Sequence, residues 1–437
     1  MRKHNSDLTT VNRRCVGIDV HKDKFVACFA DASESTTGTT TEEERFRFRY
    51  KTVAGSQEER RKLIRWVKGL KPDVIIMEST GIYWKAIFRE MEEAGLEPML
   101  INPRHFHQAE EGRKTDTADA KWLANLARLG LFRASFVPKE PTRTLRLFVV
   151  AHHKNTAALI ADKNRLQKIL DDAGIHLSTL FSDPTEGKTA KAVIEMLLDG
   201  TLSPKKIDEV RDRRCKATTE QIMNVCRGEL TPQQKVLLRM FLERIEMGQR
   251  HNAMLEENME HILQDADSNW AIELLEGIPG VNHQAASEIV AVCGTELAEH
   301  FGSADRFSRW AGVCPGNNES AGIRKSGRCP HGLATIKTIL VECAQAAART
   351  KNTEFELLFR KKKHKGYCQA IMVLAHRLAK LIYLMITKRS PYNDKVFDYK
   401  LARALKQIPR WLKPWVKRQE DLEEETGFPD VVEPAFK

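Results

Sequence analysis

Four acidic residues carry the first chemical signal. Asp19 stands between Ile18 and Val20 in a β-rich run. An aspartate inside a strand is disfavoured and costly to bury unpaired. Side chains alternate along a strand, so Gly17 shares the face of Asp19 and leaves room beside it. Glu78 directly follows the apolar run Val74-Ile75-Ile76-Met77. That places it at the carboxyl end of an expected strand, where open α/β sheets hold their ligands. Asp116 and Asp119 are three apart at the start of an expected helix and share one of its faces. Plainer roles exist: Asp116 can cap the helix, Asp119 can meet its dipole, and Glu78 can begin a loop. Asp19 has no such easy role. Taken together, four converging carboxylates repel one another unless cations neutralise them. Oxygen-only ligands suit Mg²⁺ or Mn²⁺ rather than zinc. Two such ions about 3.5–4 Å apart clamp the attacking and leaving oxygens of a phosphodiester.

The elements that must position these groups follow from hydrophobic periodicity. Residues 15–20 and 24–30 read as short strands around the turn His21-Lys22-Asp23. Residues 45–53 alternate, with Phe46, Phe48 and Tyr50 on one face and Arg45, Arg47 and Arg49 on the other. Helices are expected at 57–70, 81–94 and 115–129, and strands at 74–77 and 98–101. Three hairpin-style strands followed by βαβ units predict a mixed α/β sheet covered by helices over 1–141.

The rest reads as mostly all-α. Residues 142–270 hold a long helix at 144–173 and a seam of period 3.5: Leu238, Phe241, Ile245, Gly248, Asn252, Leu255, Met259 and Ile262. A helical hairpin or an intermolecular coiled coil would each explain it, and as the latter it offers a dimerisation surface. Between them, 176–233 reads as a polar, helix-poor insertion without an assigned task. Residues 271–390 open with Gly277-Ile278-Pro279-Gly280 between two helices, in the manner of a helix-hairpin-helix whose amides can face a phosphate. A tight turn between packed helices is the alternative. Residues 391–437 form a tail, basic around Lys406 to Arg418 and then acidic from Glu420.

Composition narrows the class. The 437 residues are 42% hydrophobic and 30% charged, as in globular proteins. Lys and Arg total 70 against 59 Asp and Glu, a net charge of +11 that favours a polyanionic partner. No run of eighteen uncharged apolar residues exists, so no membrane span is expected. The nine cysteines include no C-x-x-C pair, which predicts reduced thiols in a cytoplasmic protein rather than disulfides or a zinc ribbon.

The ordered set Gly17-Ile18-Asp19-Val20-His21-Lys22, Met77-Glu78-Ser79-Thr80-Gly81, Ile101-Asn102-Pro103 and Lys114-Thr115-Asp116-Thr117-Ala118-Asp119 resembles the DEDD domain of insertion-sequence-110 family transposases. The likeness continues through Gly277-Ile278-Pro279-Gly280, Phe307, Trp310-Ala311-Gly312, Pro315 and Glu319-Ser320. It implies an RNase H-like (RuvC-like) fold for the first domain and metal binding by Asp19, Glu78, Asp116 and Asp119. The chain departs from the family pattern in its N-terminal extension, its 176–233 insertion, its long tail and the run Gly327-Arg328-Cys329-Pro330-His331-Gly332.

Ser320 lies in a turn-rich run that predicts a loop, followed by Arg324, Lys325 and Arg328. From residue types alone it is a phosphate contact or an ordinary loop residue. The resemblance makes it the nucleophile, forming a serine–DNA phosphodiester at a composite active site, so that rejoining needs no external energy source. Arg324, Lys325 and Arg328 then stabilise developing charge or touch the backbone. The resemblance further implies donor and target DNA, a non-coding bridge RNA that supplies sequence choice by pairing, and a dimer or tetramer acting at the nucleoid, with no membrane. Lys361, Lys362 and Lys363, with Arg360 and Lys365, are the expected phosphate contact. Trp411 and Trp415 beside Lys413 could stack on exposed bases. A metal-dependent nuclease using water, and a non-catalytic nucleic-acid scaffold, are the rival readings.

Overall fold

A computed structural model describes residues 11–31, 47–79, 81–102, 115–265, 268–316, 318–320 and 323–393. The N-terminal extension before Val11, Arg45, Phe46 and the tail from residue 394, with Lys406 to Arg418, Trp411 and Trp415, lie outside the described residues. By internal contacts the chain divides into two units, Met1–Val137 and Pro138–Lys437.

In the first unit the strands are β1 (Arg14–Val20), β2 (Lys24–Asp31), β3 (Arg47–Ala54), β4 (Val74–Glu78), β5 (Pro98–Ile101) and β6 (Ala134–Ser135). They form one sheet in the order β3-β2-β1-β4-β5-β6. The first three are antiparallel neighbours, β4 and β5 run parallel beside β1, and β6 returns antiparallel. This is the mixed sheet that the hairpin and βαβ pattern predicts. Helices α1 (Gln57–Leu70) and α2 (Trp84–Glu93) cover one face, burying Leu63, Val67, Ile87 and Met91 against Val16, Ile18, Phe29 and Met77. Helix α3 (Asp116–Leu129) covers the other, with Leu123 and Ala127 on Cys15 and Ile76, and Ala120 and Ala124 on Val26 and Cys28.

Gly17 corrects a sequence expectation. The space beside it is not open: a Cβ there would lie 2.3 Å from the Ala124 nitrogen and 2.5 Å from the Ala120 oxygen. The glycine lets the α3 backbone rest directly on β1. On the edge strand β3, the arginine face is partly engaged: Arg49 pairs with Asp31 at 3.6 Å and lies over the Phe29 ring.

The second unit is mostly helical. Helices α4 (Thr142–Asp172) and α8 (Pro232–Asp265) form an antiparallel hairpin, and α5 (Lys188–Asp199), α6 (Pro204–Val210) and α7 (Thr219–Val225) fill the interval between them. The seam from Leu238 faces α4 of the same chain, not a partner. Leu238 and Ile245 are buried in a core shared with Leu159, Leu166 and Leu170. Gly248 receives the Leu159 side chain, and Asn252 bonds Asn155 and Thr156. The seam is therefore used internally, which corrects its reading as an assembly surface. The 176–233 insertion is also not helix-poor. Val193, Ile194, Leu197 and Leu198 of α5 and Ile207 of α6 join the same core.

Farther on lie α9 (Asn269–Glu276), α10 (His283–Cys293), α11 (Leu297–Phe301), α12 (Ala304–Trp310), a two-stranded hairpin of β7 (Asn318–Ser320) and β8 (Ile323–Ser326), then α13 (Ala334–Arg349), α14 (Glu354–Lys362) and α15 (Tyr367–Lys388). Among the described residues, α15 is the one helix long and apolar enough to cross a membrane by length and composition. Its apolar side, from Ala370 through Leu378 to Ile386, is buried in this unit, as in the core helix of a folded domain.

Candidate active site

Strand β1 delivers Asp19 on the face covered by α3, and β4 brings Glu78 to that same face, beyond the paired Ile18 and Met77. The close rest of α3 on Gly17 sets the first turn of that helix beside them. Thr115 caps α3, its hydroxyl accepting from the Ala118 N–H, so Asp116 is not spent on the cap. Asp19 is 3% exposed. Burial pushes its carboxyl above the ordinary value, His21 pulls it down, and the negative charges of Glu78 and Asp119 push it up again. All four acidic residues singled out in the sequence therefore share one end of the sheet, close enough for Glu78 and Asp119 to act on Asp19.

A histidine and a lysine complete this cluster. His21 Nε2 lies 3.0 Å from Asp19 Oδ2 and 3.3 Å from Asp116 Oδ1, bridging the two carboxylates. Lys24, at the start of β2, pairs with the other oxygen of Asp116. That hydrogen bond, more than any other influence, holds the Asp116 carboxyl below its usual range. The signal was available: His21 is two residues beyond Asp19, on the same face of an extending chain. The tight β1–β2 turn, where the His21 N–H donates to the Lys24 carbonyl at 3.0 Å, returns Lys24 beside it. Lys24 brings positive charge to the place where the acids converge. Asp19, His21 and Asp116 hold their donor atoms within 4.8 Å of one another, and the two carboxylates suit a hard divalent cation.

Ser320 belongs to the second unit. It does not lie on a loop as expected, but ends β7, paired with Ile323 at the start of β8. Arg324 and Lys325 follow on β8. The stem below this hairpin is built on glycines. A Cβ on Gly316 would meet the Arg328 oxygen at 2.0 Å, and one on Gly332 the Gly312 nitrogen at 2.2 Å. Arg328 is exposed on that stem. Elsewhere in the unit, Gly280 adopts φ +86° and packs against the Ala347 nitrogen of α13, while Gly277 is exposed before the turn. Packing thus accounts for Gly280 without a ligand. Lys361 and Lys363 are exposed, and Lys362 partly so, where α14 ends in a short 3-10 turn.

Comparison with known families places both regions. A model for the DEDD transposases of IS110 elements matches residues 16–175, which hold Asp19, Glu78, Asp116 and Asp119. A model for the transposase IS116/IS110/IS902 family matches residues 272–360, which hold Gly277, Gly280, Ser320, Arg324, Lys325 and Arg328. No curated protein matches the chain.

Proposed function

The chain belongs to the IS110 family of transposases, and from that premise we propose that it is a Mg²⁺-dependent serine recombinase of an insertion sequence, guided by a bridge RNA. Transposases cut and rejoin DNA, and a DEDD-type domain works with divalent metal. The observation that carries the reading is the convergence of Asp19, Asp116, Glu78 and Asp119 at one end of an RuvC-like, RNase H-like sheet, with His21 and Lys24 bonded among them. Asp19, Glu78, Asp116 and Asp119 hold the ions. Two bound Mg²⁺ ions would polarise the scissile phosphate and stabilise charge on the attacking and leaving oxygens.

Ser320 is the nucleophile. Its hydroxyl loses a proton as the Oγ–phosphorus bond forms, and the bond from phosphorus to the 3′ oxygen breaks, that oxygen taking up a proton. The products are a 5′-phosphoserine and a free 3′-hydroxyl. Attack by the 3′-hydroxyl of another strand reverses the step and releases Ser320, so bond energy is conserved. Arg324, Lys325 and Arg328, beside Ser320 in sequence, stabilise the charge of the transition state. The exposed Gly277 and the Lys361, Lys362 and Lys363 cluster touch nucleic-acid backbone, while Gly280 shapes the turn. Donor and target DNA are selected by pairing with the RNA. Two duplexes must be held at once, which calls for a dimer or tetramer. In this reading 1–141 is the DEDD domain, 142–270 a helical region, 271–390 the serine-bearing domain and 391–437 a tail.

The test uses the full-length protein with its co-purified RNA and a labelled donor DNA. The wild type yields a covalent protein–DNA species on a denaturing gel, and Ser320→Ala and Asp19→Asn each lower cleavage by about a thousandfold or more. Cleavage by Ser320→Ala at the wild-type rate makes the protein a nuclease with water as nucleophile. Random cellular RNA in the purified complex removes the guided part of the reading.

A further inference from the structure

A second cluster of side chains able to ligate a metal lies in the helical unit, far in sequence from the acidic quartet. His152 and His153 of α4 both reach the carboxylate of Glu288 on α10. His153 Nε2 is 2.8 Å from Glu288 Oε2, and His152 Nδ1 is 3.4 Å from Glu288 Oε1. His152 and Glu288 are each 6% exposed. Adjacent residues on a helix point about 100° apart, so two imidazoles meeting one carboxylate need a partner helix placed between their directions. Nitrogen and carboxylate donors from the three residues lie within 4.8 Å of one another.

One atom in the cluster is poorly served by hydrogen bonds. His152 Nε2 lies 2.8 Å from Glu256 Oε1 of α8. His152 Nδ1 is buried and makes no well-formed hydrogen bond, its nearest acceptor being Glu288 Oε1 at 3.4 Å. With a proton on each nitrogen the ring is an imidazolium paired with both glutamates, which favour that charge. A metal ion on Nδ1 takes the place of that proton and meets the same carboxylate. A metal ligated by Nδ1, with the other ring nitrogen donating to an outer carboxylate, is the arrangement by which proteins orient metal-binding histidines.

We propose that His152, His153 and Glu288 bind a zinc-class transition-metal ion that ties the α4–α8 hairpin to α10. Two imidazoles and a carboxylate suit zinc or cobalt, whereas the oxygen-only quartet suits magnesium. Zinc bonds of about 2.0–2.2 Å set neighbouring tetrahedral ligand atoms about 3.3 Å apart. The His152–Glu288 separation already matches, and the His153–Glu288 pair opens by about half an ångström. The three ligands leave a fourth position, and the cluster lines a cavity of about 710 Å³ that Gly280, Asn282 and Glu342 also border. Water or an oxygen of a small anion would complete the coordination. The ion cross-links segments 135 residues apart and steadies the helix that follows the Gly277–Gly280 turn.

Full-length protein stripped with a chelator and titrated with Co²⁺ tests this. The expected result is one tightly bound ion per chain with the intense visible absorption of a four-coordinate site, retained in Asp19→Asn and lost in a His153→Gln, Glu288→Gln variant. The Glu256→Gln variant, which touches only the outer partner, should weaken cobalt binding by about 10–100-fold. Zn²⁺ should compete for the same band. Absence of the band in the wild type, its survival in the double variant, or its loss in Asp19→Asn overturns the proposal. If the double variant fails to fold by circular dichroism, Glu256→Gln decides: unchanged affinity leaves the histidines as an ion-paired structural cluster.

Discussion

At the residue level, the sequence showed the acids but not their companions. Asp19 stood out because a strand interior offers a carboxylate no partner, and its near-complete burial follows from the same fact. His21 and Lys24 were passed over because, singly, a histidine after a strand and a lysine at a strand start are commonplace. Only the turn between β1 and β2 joins them to Asp116. Gly17 matters for a reason that strand alternation does not convey. The absent side chain gives room to the α3 backbone, not to a ligand, and that approach is what sets Asp116 and Asp119 beside Asp19. Gly17→Ala therefore forces a methyl to within 2.3–2.6 Å of helix backbone and the Leu123 Cβ, neither of which can swing aside. We expect a loss of about 2–3 kcal/mol in urea unfolding, the upper part of the overpacking range, together with impaired DNA cleavage. A variant that melts and cleaves like the wild type would show that α3 is free to slide on β1.

At the level of elements, the long periodic helices were legible, but the choice between neighbours was not. A 3.5-residue seam specifies that a helix needs a partner and says nothing of whose helix it is. Here the chain doubles back through the α5–α7 segment, and α8 packs on α4. That segment reads as loop because its helices are short, rich in Lys and Glu, and bracketed by Ser-Pro and Asp-Pro signals; the 3.6-residue spacing of Val193, Ile194, Leu197 and Leu198 is the countervailing sign. Gly248 faces Leu159 across the hairpin, a Cβ there meeting the Leu159 Cδ2 at 2.6 Å. Gly248→Val should cost about 2 kcal/mol alone and distinctly less in a Leu159→Ala background. Additive effects would mean that the two residues are not in contact. The insertion is also tied to α4 by charge: Lys163 Nζ lies 2.7 Å from Asp183 Oδ2. Burial alone would raise the Asp183 carboxyl, but hydrogen bonds from Lys163 and Thr185 prevail and hold it below its usual value. A carboxylate so depressed contributes stability above its unfolded pKa and loses it as pH falls through the folded one. Asp183→Asn should be less stable than wild type by about 1 kcal/mol at pH 7. The gap should close as the pH drops below about 4. A gap that keeps its neutral-pH size throughout acid titration would assign the effect to packing instead.

For the molecule as a whole, charge is the property that sequence alone conveys best, because it needs no fold: a net +11 favours a polyanionic partner, and both family matches agree with one. Charge is also the property that fold reinterprets most. Arg49 is engaged with Asp31, Arg360 bonds Glu356 at 2.6 Å, and Lys380 bonds Asp305, so a tally of cations overstates what is available to a phosphate backbone. Lys361, Lys362 and Lys363 also have a modest role at hand, since basic residues in the last turn of α14 complement the helix dipole. The two roles differ in their response to salt. A dipole contact acts on stability alone. A phosphate contact releases a counterion for each phosphate neutralised, so the logarithm of the binding constant falls with the logarithm of salt by about 0.9 per contact on duplex DNA. Changing all three lysines to glutamine should therefore flatten that slope by about 2–3 and weaken binding across unrelated DNA sequences alike. Thermal melting should move little, since each dipole contact is worth under about 1 kcal/mol. If the slope stays as in the wild type while the melting point falls, the cluster serves α14, and the nucleic acid is held by other cations of the chain.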